Sequence, residues 1–281
     1  MMNAITRRSS GVLLVALLVC GAVGSAAGLK AKAPATTKPA AGKAPMHIYL
    51  LIGQSNMAGR AAFTEEEAAE IPRCGLLDRQ GKWVPAKNPL NIHSTIRKSP
   101  GMQKMNPGYT FAKTMLEKDK TVSIGLVVNA KGGTSIRSWA KGSKFYKEAV
   151  KRTKLAQETG VLKGVLWHQG ESDSMDSKYI DKLKALIADL RKDLGAANLP
   201  FVAGEIQNCK LVNDQIRQLP EEVKCAGFAS AEGLTTRDRW HFDARSMKLL
   251  GMRYAEAMLK VQAKQKAMAK KKQPTTRPSG R

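Results

Sequence analysis

Short apolar runs alternate with longer amphipathic stretches through most of this chain. HIYLLIG (47–53), VSIGLVVN (122–129), LKGVLWH (162–168), LPFVAGEI (199–206) and AGFASAEGL (226–234) are rich in Val, Ile, Ala and aromatic residues. Bounded by Gly or Pro and nearly continuous in hydrophobicity, they predict strands covered on both faces. Between them, helical periodicity falls at 108–118, 144–158, 176–194 and 243–262. In the third of these, Tyr179, Ile180, Leu183, Leu186, Ile187 and Leu190 recur at spacings of three and four, with Lys and Asp between. That is the stripe of a helix lying on a sheet. Asp176 is placed to cap its start and Gly195 to stop it. The alternation predicts a three-layer α/β/α sandwich around a central, mainly parallel sheet, with any ligand site beyond the carboxyl ends of the strands.

The pattern changes at both ends. Arg7 and Arg8 precede an apolar run, Val12 to Val23, that is short for a bilayer span, and Ser25-Ala26-Ala27 supplies small residues for cleavage. Residues 1–27 therefore read as a signal peptide and the protein as exported, to the periplasm, cell surface or medium. The alternative is an uncleaved anchor helix, the one arrangement that would place the chain on a membrane. Residues 28–45, made of Ala, Pro, Lys and Thr without periodicity, read as a disordered linker. Residues 263–281, ending in KKKQPTTRPSGR, read as a basic disordered tail, which leaves one domain over 46–262.

Composition matters mainly through charge. The formal excess of +24 suggests a nucleic-acid partner until it is located. All 23 acidic residues lie between Met46 and Leu259, whereas fourteen of the 47 Lys and Arg residues lie outside that span. The excess is partly a property of the tails, which lack interleaved aromatics, so no nucleic acid is expected. Beyond Cys20 in the signal segment, Cys74, Cys209 and Cys225 permit at most one internal bridge, Cys209–Cys225 being nearest in sequence. The other reading is three buried thiols.

Chemistry gathers at the strand ends. The first strand runs into Gly53-Gln54-Ser55-Asn56-Met57-Ala58-Gly59, the second into Lys131-Gly132-Gly133-Thr134-Ser135, and the third into Trp167-His168-Gln169-Gly170-Glu171-Ser172-Asp173. Asp238-Arg239-Trp240-His241-Phe242-Asp243 precedes the final helix. A serine, glycine-bearing loops, a polar amide and an Asp-x-x-His pair are the parts required for acyl transfer. A serine hydroxyl needs a base, which His241 supplies, and an acid that orients the base, which Asp238 supplies from the same short loop. Asp243 is the rival for that last role, but it stands where a helix N-cap belongs. His168 and Glu171 are spaced like metal ligands, yet no second pair completes a set, so no metal or other cofactor is expected.

GQSNMAG, GGTS, WHQGESD and DxxHFD, in that order and over roughly residues 46–260, resemble the sialate O-acetylesterase-like carbohydrate esterases (carbohydrate esterase family six) of the SGNH superfamily. The resemblance implies an SGNH, flavodoxin-like sandwich and an esterase removing O-acetyl groups from sialic acid, xylan or a related glycan. It also implies an oxyanion hole built from the N–H of Ser55, an N–H of Gly132 or Gly133, and the amide of Gln169, where many superfamily members carry Asn. Asn56 and Glu171 enter as supporting residues. Trp139 and Trp240 flank the site loops, either to stack on a sugar or to pack. The alternatives are a lipase-like or general short-chain esterase, which would want an apolar entrance, and a carbohydrate-binding relative without catalysis. The loops here are instead rich in Ser, Thr, Arg and Lys.

Overall fold

The computed structural model describes residues 46–271; the signal peptide and linker expected over 1–45, and tail residues 272–281, lie outside the described residues. Seven strands are found among them: β1 Met46–Gly53, β2 Cys74–Leu77, β3 Trp83–Pro85, β4 Ser123–Val128, β5 Val161–His168, β6 Phe201–Gly204 and β7 Ala226–Ala229. They form one sheet in the order β3-β2-β4-β1-β5-β6-β7, parallel at every pairing except β2 with β3. The helices are α1 Ser55–Ala58, α2 Gly108–Lys118, α3 Lys144–Gln157, α4 Tyr179–Asp193, α5 Lys210–Glu222 and α6 Ala244–Lys271.

Strand β1 shows why the sheet is covered twice. Ile48, Leu50 and Ile52 point to one face, where they join a core with Leu183 and Ile187 of α4 and Val212 and Ile216 of α5. Tyr49 and Leu51 point to the other, packing with Phe111 of α2 and Tyr254 and Met258 of α6. A strand buried on both faces loses alternation and reads as one hydrophobic run. The expected three-layer α/β/α sandwich is the fold observed.

Four elements went unassigned in the sequence: β2, β3, the four-residue α1 and α5. The first two are too short for a period to register. In α5, Val212, Ile216 and Leu219 do mark a buried stripe, but Pro220 in the last turn interrupts the pattern. Helix α4 begins at Tyr179 rather than at Asp176, whose carboxylate instead pairs with Lys182. Its far end is terminated by Gly195 (φ 65°), with N–H bonds from Gly195 to the Lys192 carbonyl and from Ala196 to the Arg191 carbonyl.

Residues 263–271, expected to belong to a disordered tail, are instead helical, because α6 continues through Lys271. Ala, Lys, Gln and Met favour helix, and the extension is tied down as well. Gln262 donates to the Tyr49 hydroxyl and the Lys163 carbonyl, both at 3.1 Å, and Met268 packs on the core. Of the two cysteine readings, three buried free thiols is the one found.

What positions the site is the meeting of β1 and β5 at their carboxyl ends. Gly53 (φ 139°) pairs with His168, and a side-chain carbon added there would lie 2.1 Å from the His168 carbonyl oxygen. The next residue, Gln54, donates its N–H to that same oxygen at 2.8 Å. Gly53→Ala should therefore destabilise the fold by at least about 2 kcal/mol through combined overpacking and backbone strain. Chemical denaturation is the check, and an unchanged unfolding midpoint would refute the constraint.

Candidate active site

Ser55 is the first residue of α1, directly after the Gly53-Gln54 turn, and is 7% exposed. As a first-turn residue it has no intrahelical acceptor for its N–H. The loop after β4 is held alongside by the Lys131 N–H bond to the Gly53 carbonyl, 3.1 Å. This brings Gly132 so close that a side-chain carbon on it would lie 3.3 Å from Ser55 Cβ. Gly133 follows at φ 71°. Neither glycine N–H has a protein acceptor among the described residues.

The loop before α6 carries the other partners. His241 Nε2 is 3.0 Å from Ser55 Oγ, and His241 Nδ1 is 2.8 Å from Asp238 Oδ2. Asp238 Oδ1 also accepts the N–H groups of Trp240 and His241, each at 2.9 Å. Partial burial works against the Asp238 charge, but the Trp240 N–H, the His241 ring and the His241 N–H outweigh it and hold the carboxyl down at about 2. Asp243 stands apart. Its Oδ1 accepts the Ser246 N–H at 2.8 Å, the bond of an N-cap to the third helical residue, and its Oδ2 meets Thr235.

Asn56 joins these pieces. Its Nδ2 donates to Glu171 Oε1 (2.9 Å) and to the Trp240 carbonyl (3.0 Å), while its Oδ1 accepts the Phe242 N–H (3.3 Å). One side chain thus binds the turn of the serine, the loop after β5 and the loop of the histidine. Glu171 is 8% exposed, and its Oε2 has no partner among the described residues. Burial pushes this carboxyl up to about 7, against the bonds that favour its charge. His168 faces elsewhere: its Nδ1 is 3.0 Å from the Tyr254 hydroxyl, which itself donates to the Trp167 carbonyl at 2.6 Å. The imidazole must then be the Nδ1–H donor. Full burial lowers its pKa to about 3 and keeps it neutral. Among the described residues no three potential metal-ligating side chains converge.

Gln169 departs from its expected role as an oxyanion donor. It is wholly buried, and its Nε2 is committed to Gln54 Oε1 (3.1 Å), the Thr134 carbonyl (2.9 Å) and the Asp173 carboxylate. Three oxygens around one nitrogen leave its protons no freedom to turn toward Ser55. The arrangement fixes Gln54 instead, with its oxygen inward and its amide nitrogen lacking any protein acceptor among the described residues. Gln54 lines the cavity at Ser55 and Gln169 does not. Gln54 lies within GQSNMAG but was given no role there, and Arg60 and Lys98, which share that wall, lie outside the motifs. Of the two tryptophans, Trp139 is fully buried against Trp167, and Trp240 lines the cavity under Arg239.

A serine hydroxyl bonded to an imidazole whose other nitrogen meets a carboxylate, at the carboxyl edge of a mainly parallel α/β sheet, is an arrangement chemically capable of acyl transfer. The comparisons narrow this class. A family model described as carbohydrate esterase, sialic acid-specific acetylesterase, matches residues 45–260, and the chain belongs to that family. It is 33% identical over 240 residues to a probable carbohydrate esterase of Arabidopsis thaliana, spanning 76% of this chain and 91% of that one. The X-ray structure of a protein from Arabidopsis thaliana superposes with a TM-score of 0.69 at 30% identity, covering 77% of this chain and 98% of that one. A carbohydrate acetylesterase from Xanthomonas citri shares the fold, with a TM-score of 0.56 at 21% identity, covering 77% of this chain and 57% of that one. The chain is thus a carboxylic ester hydrolase of the acetylesterase kind.

Glu171 has a measurable consequence for stability. Between pH 4.5, the usual value, and about 7, its carboxyl ionises in the unfolded chain but stays protonated in the folded one. The folded state then binds more protons, so stability falls as pH rises through that window and levels off above it. Glu171→Gln should remove this fall. Denaturation of both proteins at pH 4.5, 6 and 8 tests it, and parallel stability profiles would contradict the assignment.

Proposed function

We propose that the enzyme removes O-acetyl groups from carbohydrates, with Ser55 as nucleophile, His241 as general base and then acid, and Asp238 as the orienter of His241. The observation that carries this is the unbroken hydrogen-bond chain Asp238–His241–Ser55 opening on a cavity of about 330 Å³. Ser55 Oγ attacks the acetyl carbonyl while His241 Nε2 takes its proton, and Asp238 stabilises the imidazolium. The negative oxygen is met by the N–H of Ser55, by the Gly132-Gly133 backbone and by the amide of Gln54, none of which has a protein acceptor among the described residues. His241 returns the proton to the departing sugar oxygen, and water, activated by the same base, releases acetate from the acetyl-serine.

The cavity lining supports a sugar over a fatty chain. Met102 and Trp240 are its apolar members, among Gln54, Arg60, Lys98, Glu171 and Ser172. A lipase-like site would present a broad apolar wall. Export is part of the same reading and rests on Arg7, Arg8 and the apolar run Val12 to Val23.

Ser55→Ala should lower kcat on p-nitrophenyl acetate and on an acetylated sugar by at least about a thousandfold. Asp238→Asn should lower kcat by roughly four orders of magnitude, because the amide holds the wrong tautomer. Asp243→Asn should be mild, since Asn caps a helix about as well as Asp. Steady-state kinetics decide the matter. A crippled Asp243→Asn beside a near-normal Asp238→Asn would reverse the assignment of the orienting acid.

A further inference from the structure

The two loops that wall the cavity at Ser55 continue past it. Gly132 and Gly133, after β4, and Glu171 and Ser172, after β5, line that cavity. A few residues further on, Ser135 and Arg137 of the first loop and Ser172 to Asp176 of the second enclose another, of about 500 Å³. Ser172 lines both, so the one leads into the other along the carboxyl edge of the sheet. Its volume falls within the roughly 300–1,000 Å³ of small-molecule sites.

Buried bonds hold the two walls of this extension together while its lining groups stay free. The Ile136 N–H donates to Asp173 Oδ2 at 2.9 Å, and the Gln169 amide to the Thr134 carbonyl at 2.9 Å and to Asp173. Trp139, wholly buried, donates its Nε1 hydrogen to Thr134 Oγ1 at 3.2 Å. Gln169 thus joins wall to wall. By contrast, the hydroxyls of Ser135, Ser172 and Ser174 and the guanidinium of Arg137 make no side-chain bond among the described residues. Met175, in the same lining, is 86% exposed, more than any other large apolar side chain among the described residues.

The acids of the lining are already engaged. Asp176 pairs with Lys182 and lies in the field of Arg137, and Asp173 takes the Gln169 and Ile136 donors. The free groups are hydroxyls that donate and accept, one planar fork of N–H donors and an unbranched apolar chain. They complement a neutral pyranose, which carries hydroxyls at its edge and C–H groups on its faces.

We propose that this extension is a second glycan subsite, holding the neutral sugar residue joined to the acetylated one. Arg137 and the serine hydroxyls bond its hydroxyls, and Met175 covers one of its faces. The preferred ester then lies within an oligosaccharide or polysaccharide, because a free acetylated monosaccharide leaves the second cavity unfilled. Contacts made at the second residue supply binding energy for the reaction at the first. This deepens the reading of the preceding subsection and rests on it.

Two pairs of esters separate the subsite from the chemistry: O-acetylated xylose with O-acetylated xylotriose, and O-acetylated glucose with O-acetylated cellotriose. In at least one pair, kcat/KM for the trisaccharide should be higher by about tenfold or more. Arg137 and Met175 are both exposed, so their truncation spares the core. Arg137→Ala and Met175→Ala should each lower that ratio by about threefold or more. A damaged fold would instead lower both esters of a pair alike. Calorimetry on Ser55→Ala protein repeats the comparison without turnover: the trisaccharide ester should bind more tightly than the monosaccharide ester, and adding Arg137→Ala should shrink the difference. Ratios near one in both pairs, or a ratio unchanged in both variants, overturn the subsite and leave the esterase reading standing. An enzyme inert on all four esters defeats the proposed function instead, and the calorimetric comparison then decides the subsite by itself.

Discussion

The site depends on a contact with no side chain in it. At the carboxyl ends of β1 and β5 the chains approach so closely that only hydrogen fits on the Cα of Gly53, against the carbonyl of His168. That contact aims Ser55 and the segment Gln169-Gly170-Glu171 into one crevice, at the point where the chain's path across the sheet reverses direction. Asn56 then spans the crevice and takes hold of the histidine loop. The serine and histidine are 186 residues apart in sequence, and two glycine-governed backbone approaches plus one amide bring them to 3.0 Å.

The acids around Ser55 divide by environment. Asp238 is close to solvent and wrapped in N–H donors, so it stays charged; Glu171 is enclosed with an amide on one oxygen and nothing on the other, so it is pushed toward neutrality. A charged acid can stabilise a neighbouring imidazolium, whereas one pushed toward neutrality adds little negative charge to the cavity it lines. The two roles need different surroundings, and the loops supply them.

Much of this was legible in the chain. β1 and β5 announce themselves because burial on both faces makes them continuous apolar runs, and the Asp-x-x-His spacing names its own geometry, since both side chains must come from one tight loop. What was not legible depends on partners distant in sequence. Gln169 looks like a free donor until Gln54, Thr134 and Asp173 are seen around it, 115, 35 and 4 residues away. Arg60 reads as an ordinary surface arginine, because no periodicity shows that the Gly59 and Met102 carbonyls hold it in the cavity wall. Strands of three or four residues, such as β2 and β3, are shorter than the pattern that would reveal them.

Helix α6 joins two jobs usually kept apart. Its first turn follows the loop of Asp238 and His241 directly, its Tyr254 bonds to His168 and Trp167 beneath the site, and its far end is pinned to Tyr49 and the core by Gln262 and Met268. His241 is therefore held by the helix that follows it, against a sheet whose strand β1 runs directly into the turn of Ser55. Until that helix docks, Ser55 lacks its imidazole partner. The contact between the two side chains thus arrives only with the completed fold, because it joins the first strand's turn to the loop that α6 anchors.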